Sequence, residues 1–171
     1  MRCVIDTIKL SDIAQRSRSS TESYCFELRY YLVESGGRLL LVVRQVGVPF
    51  PLPEHSLGEH KRRTIWFNVF EADLTANSCH KWRRVSSLAG QALFVGTYSK
   101  SLPATECGSA QEDCIYFTCD YAWEYPDPDP LRDSGVFNMR NGTITPLLPD
   151  TTAVQPLCKG CPTWFFPSHA M

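Results

Sequence analysis

The amino-acid sequence predicts an all-β chain of antiparallel four-stranded blades, about two blades of a β-propeller with flanking strands. Three observations lead there. Apolar residues fall in short, nearly continuous runs, LLLVV at 39–43, IWF with VF close behind at 65–70, LFV at 93–95 and CIYF at 114–117. Such runs are expected of strands covered on both faces rather than on one. No helical periodicity lies between them, so the helical crossovers that a parallel sheet normally uses are not expected. Turn residues do lie between strand-like segments: Ser35-Gly36-Gly37 and Asn141-Gly142 tolerate positive φ and predict tight two-residue hairpin turns. An antiparallel sheet sandwiched between other sheets satisfies all three.

In chain order, residues 1–23 form an N-terminal segment, in which 3–10 is a candidate strand of an incomplete blade. The first blade is expected as YCFELRYYLVES, RLLLVVR, TIWFNVFEADL and HKWRRVSS. The second is expected as QALFVGTYS, EDCIYFTCD, SGVFNMR and NGTITPLL. With its loops each spans about 45 to 60 residues, near the kelch repeat length. A short strand at Trp164–Phe166 would belong to a further blade, and 169–171 is a tail. Loops are expected from Val48 to Arg63, where three prolines accompany a polar run, and from Tyr125 to Asp133, where proline alternates with aspartate.

A chain of 171 residues suits one domain with a real core. Its net charge of -1 supplies no global field to attract nucleic acid or an anionic membrane, and neither is expected as a partner. Asp6, Lys9 and Asp12 interrupt any apolar signal segment. No run approaches the roughly 20 apolar residues of a membrane span. The cytoplasm, the nucleus or both are the expected location, and there the eight cysteines would be mostly reduced thiols.

Several clusters bear on chemistry. Cys158-Lys159-Gly160-Cys161, followed by His169, has zinc-knuckle spacing, but a structural zinc site takes four ligands and there is no second pair. Cys107, Cys114 and Cys119 surround CIYF; as free thiols they pack like small apolar residues, with Cys114 in the core. Cys79 and His80, adjacent on a strand, point to opposite faces and cannot readily act as nucleophile and base. Asp127, Asp129 and Asp133 could offer oxygens to a hard cation, but the interleaved prolines suggest an extended loop with solvated carboxylates. Glu112, Asp113, Glu71 and Asp73 show no acid–base arrangement. The Asn141-Gly142-Thr143 sequon is explained by the turn.

Neither GxxxxGK[ST] nor GxGxxG occurs. No catalytic, cofactor-binding or metal-binding residue is assigned, no cofactor is expected, and the chain does not read as an enzyme. The basic groups Lys61-Arg62-Arg63 and Lys81-Trp82-Arg83-Arg84 read first as solvated loops and strand edges. Trp82, Arg83 and Arg84 are nevertheless the candidate protein-binding residues, because tryptophan and arginine dominate interface energetics.

The series YLVESGGRLLLVVR, FNVFEADL, KWRRVSSLAGQALFVG, SKSLPA, EDCIYF, DSGVFNMRNGTITPLLP and PTWFFPS resembles the C-terminal half of the plant F-box-associated β-propeller family. This is the KIB-type propeller, long catalogued as a domain of unknown function, and the resemblance spans residues 24–168. It implies a noncatalytic scaffold that presents a target protein. Family members often carry an N-terminal F-box helix bundle that docks onto a cullin-type ubiquitin ligase through a Skp adaptor. No F-box-like segment precedes the first strands here, so a Skp-type adaptor is expected only if an F-box is supplied elsewhere. Closed propellers use about four to eight blades. About two would leave edges bare, and self-association through them is expected. The alternatives are a truncated fragment without retained activity and, third, a propeller enzyme, whose site would need polar residues from several blades.

Overall fold

The computed structural model describes residues 24–49, 62–74, 81–121, 131–147 and 162–166, which form two sheets. The candidate strand at 3–10, the rest of segment 1–23 and the tail 169–171 lie outside the described residues. Among the described residues no helix is long and apolar enough to cross a membrane.

The first sheet runs in chain order, β1 (Tyr24–Ser35), β2 (Arg38–Pro49), β3 (Arg63–Asp73) and β4 (Lys81–Val85), with every neighbour antiparallel. Its first turn is the two-residue hairpin that the glycines predict. Ser35 faces Arg38, and Gly36 and Gly37 both take positive φ, at 56° and 77°, the pairing that matches strand twist. β2 outruns the expected stop at Arg44 because β1 supplies a pairing partner all the way to Pro49. A bulge between Gln45 and Val46 shifts the register against β3.

The second sheet has the order β6-β5-β7-β8-β9, from β5 (Gln91–Val95), β6 (Lys100–Pro103), β7 (Cys114–Phe117), β8 (Gly135–Asn138) and β9 (Thr143–Pro146). It departs from the expected blade in two linked ways. β6 is an additional edge strand, and β7 runs parallel to β5 while the other pairs are antiparallel. The cause is one connection. After β5 the chain doubles back as β6, makes a 3-10 turn at Ala104–Glu106, and re-enters on the other side of β5 in the original direction. A hairpin strand thereby does the work usually left to a crossover helix.

β8 and β9 form the expected hairpin, but with a four-residue loop. Asn138 faces Thr143, and Gly142 N–H donates to the Asn138 carbonyl at 2.8 Å. Only Gly142 is left-handed there, at φ 71°, and a Cβ at this position would collide with the Trp66 ring. Asn141 serves instead as a side-chain acceptor, receiving Thr143 N–H at 3.0 Å and Oγ1–H at 2.7 Å. Trp164–Phe166 is not a strand. The Trp164 indole N–H donates to the Val95 carbonyl at 3.0 Å, and the Trp164 and Phe166 rings stand edge-on to Phe94. Side chains, not a backbone ladder, hold this segment.

The sheets stack through one apolar layer. Val33, Leu40, Val42, Phe67 and Val69 of the first meet Leu93, Val95, Ile115, Phe117 and Phe137 of the second. Phe67 sits 5.2 Å from Phe117 and 5.4 Å from Phe137, and Trp66 meets Phe137 edge-on at 4.9 Å, geometries that aromatic quadrupoles favour. Leu41, Val43 and Phe70 are buried on the opposite face of the first sheet. The continuous LLLVV run is therefore covered on both sides, as its composition requires.

Candidate interaction surface

A charged cluster fixes the two sheets relative to one another. Arg44, at the end of the apolar run of β2, is completely buried. Its Nε donates to Thr64 Oγ1 at 2.7 Å, and its Nη2 to Asp133 Oδ2 at 2.8 Å and to the Asp133 carbonyl at 3.2 Å. Its Nη1 donates to the Thr118 carbonyl at 2.9 Å, and to Asp120 Oδ1 and Tyr31 Oη at 3.3 Å each. The same Asp133 Oδ2 also accepts Thr64 Oγ1–H and Tyr121 O–H, each at 2.7 Å, while Oδ1 accepts Thr64 N–H at 2.8 Å. The guanidinium also lies 4.8 Å over the Phe117 ring.

Every charge in the cluster has a hydrogen-bonded partner, the condition under which a buried ion pair is tolerated. Burial opposes the Arg44 charge, but Tyr31, Asp133 and Asp120 outweigh it and raise its pKa. Burial pushes the Tyr31 hydroxyl up to about 12 and raises that of Tyr121 as well. Both phenols keep their protons at neutral pH. The cluster is a fixed joint, with no proton poised to move.

Sequence reasoning left Arg44 out and read Asp133 as solvated. The structure corrects this: Asp133 is buried, because the end of the proline-aspartate loop turns inward to neutralise Arg44. Asp127 and Asp129 lie outside the described residues. The available signal was a charged residue directly after a doubly covered apolar run, which must find a partner.

A second carboxylate anchors the start of the other sheet. Asp113, buried and at φ 58°, accepts Leu88 N–H at 2.6 Å, Ser87 Oγ–H at 3.0 Å and Arg140 Nε–H at 2.9 Å. Burial alone would raise its pKa, but these donors reverse that and hold the carboxyl below its usual range. Glu112 pairs with the same Arg140. The acidic pair that showed no partner in sequence thus clamps β7 to the loop before β5. Glu71 lies on the surface of β3, 3.0 Å from Arg83 and 3.8 Å from Arg38.

Two of the free cysteines border these clusters: Cys119 lies between Thr118 and Asp120 and packs with Tyr121, and Cys114 follows Asp113. Cys114 is fully buried, as its place in CIYF predicts, and Cys119 nearly so, its thiol pushed up by burial to about 11. Cys107 is half-buried, and burial raises its thiol too. Among the described residues no cluster of histidine, cysteine, aspartate or glutamate could hold a metal ion. Cys79, His80, Cys158, Cys161 and His169 lie outside the described residues. Of the first basic group, Arg62 is not solvated: only 13% exposed, it donates to Glu27 Oε2 at 2.8 Å. Arg63 reaches the Arg132 carbonyl at 2.7 Å.

The structure places Trp82, Arg83 and Arg84 on β4, an edge strand of the first sheet. Trp82 is half-buried against Leu41, Val43 and Phe70. Arg83 is exposed and Arg84 likewise. The β3–β4 ladder ends at Val69 and Val85. Where β4 leaves its neighbour, a cleft of 260 Å³ opens between the sheets, lined among others by Trp66, Asn68, Arg84, Ser86, Phe137 and Met139. Asn68 is 3% exposed, and its amide nitrogen is buried without a hydrogen-bond partner. The cleft and Asn68 are invisible to sequence reasoning, since both arise from the point at which two strands part.

Two sheets stacked through a shared apolar layer, one locked to the loops of the next by a buried ion pair, are blades of a β-propeller. The chain belongs to the KIB1-4 beta-propeller family, whose model matches residues 4–138. The match takes in β1 to β8; it starts earlier and stops sooner than the resemblance read from 24 to 168. No curated protein and no solved structure matches the chain.

Proposed function

We propose that this chain is a noncatalytic protein-interaction scaffold acting in the cytoplasm or nucleus. One observation carries the reading: Phe26, Tyr30 and Leu32, at alternate positions of the edge strand β1, are 46%, 43% and 62% exposed on a single face. Half-buried Leu28 continues the stripe. Large apolar side chains gathered on one face mark association surfaces more often than singly scattered ones do. Family membership supports the finer proposal that the scaffold holds a target protein as F-box-type ubiquitin ligase adaptors do. A Skp-type adaptor would then join only where an F-box is supplied.

Affinity purification with mass spectrometry tests this, comparing the wild type with a folded Phe26→Ser, Tyr30→Ser, Leu32→Ser variant. A defined set of proteins should accompany the wild type and be depleted from the variant; identical sets would defeat the proposal. Recovery of a Skp adaptor would support the finer reading. The same stripe on an edge strand favours self-association as a second reading. It predicts a mass in light scattering that rises with concentration for the wild type alone.

A further inference from the structure

We propose that Asn141 is a site of spontaneous covalent modification and that the native β8–β9 hairpin holds the reaction in check. The reaction is intramolecular. The Gly142 nitrogen attacks Cγ of the Asn141 side chain, the new C–N bond closes a five-membered imide, and the side-chain nitrogen leaves as ammonia with the proton that Gly142 gives up. Water then opens the imide at one carbonyl or the other, leaving aspartate or isoaspartate. The step needs no oxidant or reductant, and it is independent of the scaffold reading.

The fold itself places the reactive pair. Of Asn68, Asn77, Asn138 and Asn141, the asparagines of the chain, only Asn141 precedes glycine. Glycine leaves the attacking nitrogen unshielded, whereas a side chain, such as that of Met139 after Asn138, crowds it. Yet the turn favours glycine. Position 142 has φ 71°, and a Cβ there would meet the Trp66 ring. The hairpin thus selects the successor that makes its exposed asparagine most reactive.

The same turn withholds both reacting groups. The Gly142 N–H donates to the Asn138 carbonyl at 2.8 Å, so the nitrogen that must lose its proton is already engaged. Asn141 Oδ1 accepts the Thr143 N–H at 3.0 Å and Oγ1–H at 2.7 Å, which restrains the side chain. Asn138 braces the start of the loop, its Oδ1 accepting the Arg140 N–H at 2.9 Å. The imide has no N–H to give Asn138, so it cannot form without breaking the loop's own hydrogen bond. Reaction therefore waits on local opening, which at an edge hairpin takes less free energy than unfolding the chain. Isoaspartate would then hinder a return. It routes the main chain through the former side chain, lengthens a tight loop by a methylene and displaces Gly142 from Trp66.

The test incubates the purified chain in mildly alkaline buffer, folded or in guanidinium chloride, and digests it with trypsin. Cleavage after Arg140 and Lys159 releases a peptide in which Asn141 is the only asparagine, and fragment ions place the gain in mass as amide becomes acid. The denatured chain should convert at Asn141, and the folded chain at least about tenfold more slowly. Asn138→Ala removes the bond to the Arg140 N–H without altering the reacting residues. Shown by a thermal melt to be folded, it should convert about threefold or more faster than the folded wild type, and at the wild-type rate in denaturant. An Asn141 that survives in denaturant would remove the site. A folded rate within about twofold of the denatured one, or a folded Asn138→Ala rate no higher than that of the wild type, would overturn the restraint.

Discussion

Strand β1 presents the same kinds of residue to two different fates. Tyr31 and Val33, facing the second sheet, are 8% and 2% exposed, whereas their neighbours Tyr30 and Leu32, pointing the other way, are 43% and 62% exposed. Side chains alternate along a strand, so one residue of offset moves an apolar group from a packed core to an open face. Similar chemistry is therefore sealed in the core on one side and left at the surface on the other. Composition alone cannot distinguish the two roles; the position of the second sheet does.

Substitutions on the two faces should separate cleanly. The largest effect is expected on the inward side for Arg44→Ala, which strands Asp133 and Asp120 in the interior. Removing one partner of a buried pair costs about 3–5 kcal/mol, read as a lower urea midpoint. A loss under about 1 kcal/mol would mean that the ion pair does not hold the sheets together. Leu40→Ala, in the shared apolar layer, should cost about 2–5 kcal/mol by the same measurement. The outward Leu32→Ala should cost less than about 0.5 kcal/mol. Similar losses at positions 32 and 40 would erase the contrast between the faces.

A smaller effect, conditional on pH, is expected at Asp113. Its carboxyl is depressed in the folded chain, so the native state binds fewer protons than the unfolded one. Its contribution is complete above the ordinary carboxylate value of about 3.9 and disappears as pH falls through the lowered one. Asp113→Asn, which tolerates the same left-handed backbone, should destabilise the chain near neutrality by about 1 kcal/mol. In acid the difference from wild type should shrink. A gap that persists unchanged at pH ~2 would rule out the charged form as its source. The smallest effect on stability is expected for Leu32→Lys, within about 0.5 kcal/mol. Its consequence should appear in light scattering, as reduced self-association.

What could be read from the sequence was local. The LLLVV run announced burial on both faces, and Ser35-Gly36-Gly37 announced a tight hairpin, because period and turn chemistry act over a few residues. The additional strand KSLP was missed because a four-residue edge strand carries almost no periodic signal. The parallel β5–β7 pair followed from that omission, since β6 is what reverses the chain. Asn141-Gly142 gave the hairpin but not its loop length, nor the Trp66 ring packed against Gly142 from 76 residues away. Trp82, Arg83 and Arg84 were legible as an edge, but the cleft beside them was not. The Arg44–Asp133 contact spans 89 residues, a separation that leaves no local trace.

That separation has a temporal side. During synthesis, at about 5–20 residues per second, Arg44 leaves the ribosome roughly five to twenty seconds before Asp133 does. Through most of that interval, until Asp120 and then Asp133 emerge, the second strand carries a cation with no counter-ion, so the leading sheet is not expected to consolidate until the trailing one arrives. Nascent chains stalled before Asp133 emerges should keep the β1–β2 hairpin open to protease, and chains stalled well after should protect it. Equal resistance at both lengths would show that the leading sheet matures unaided.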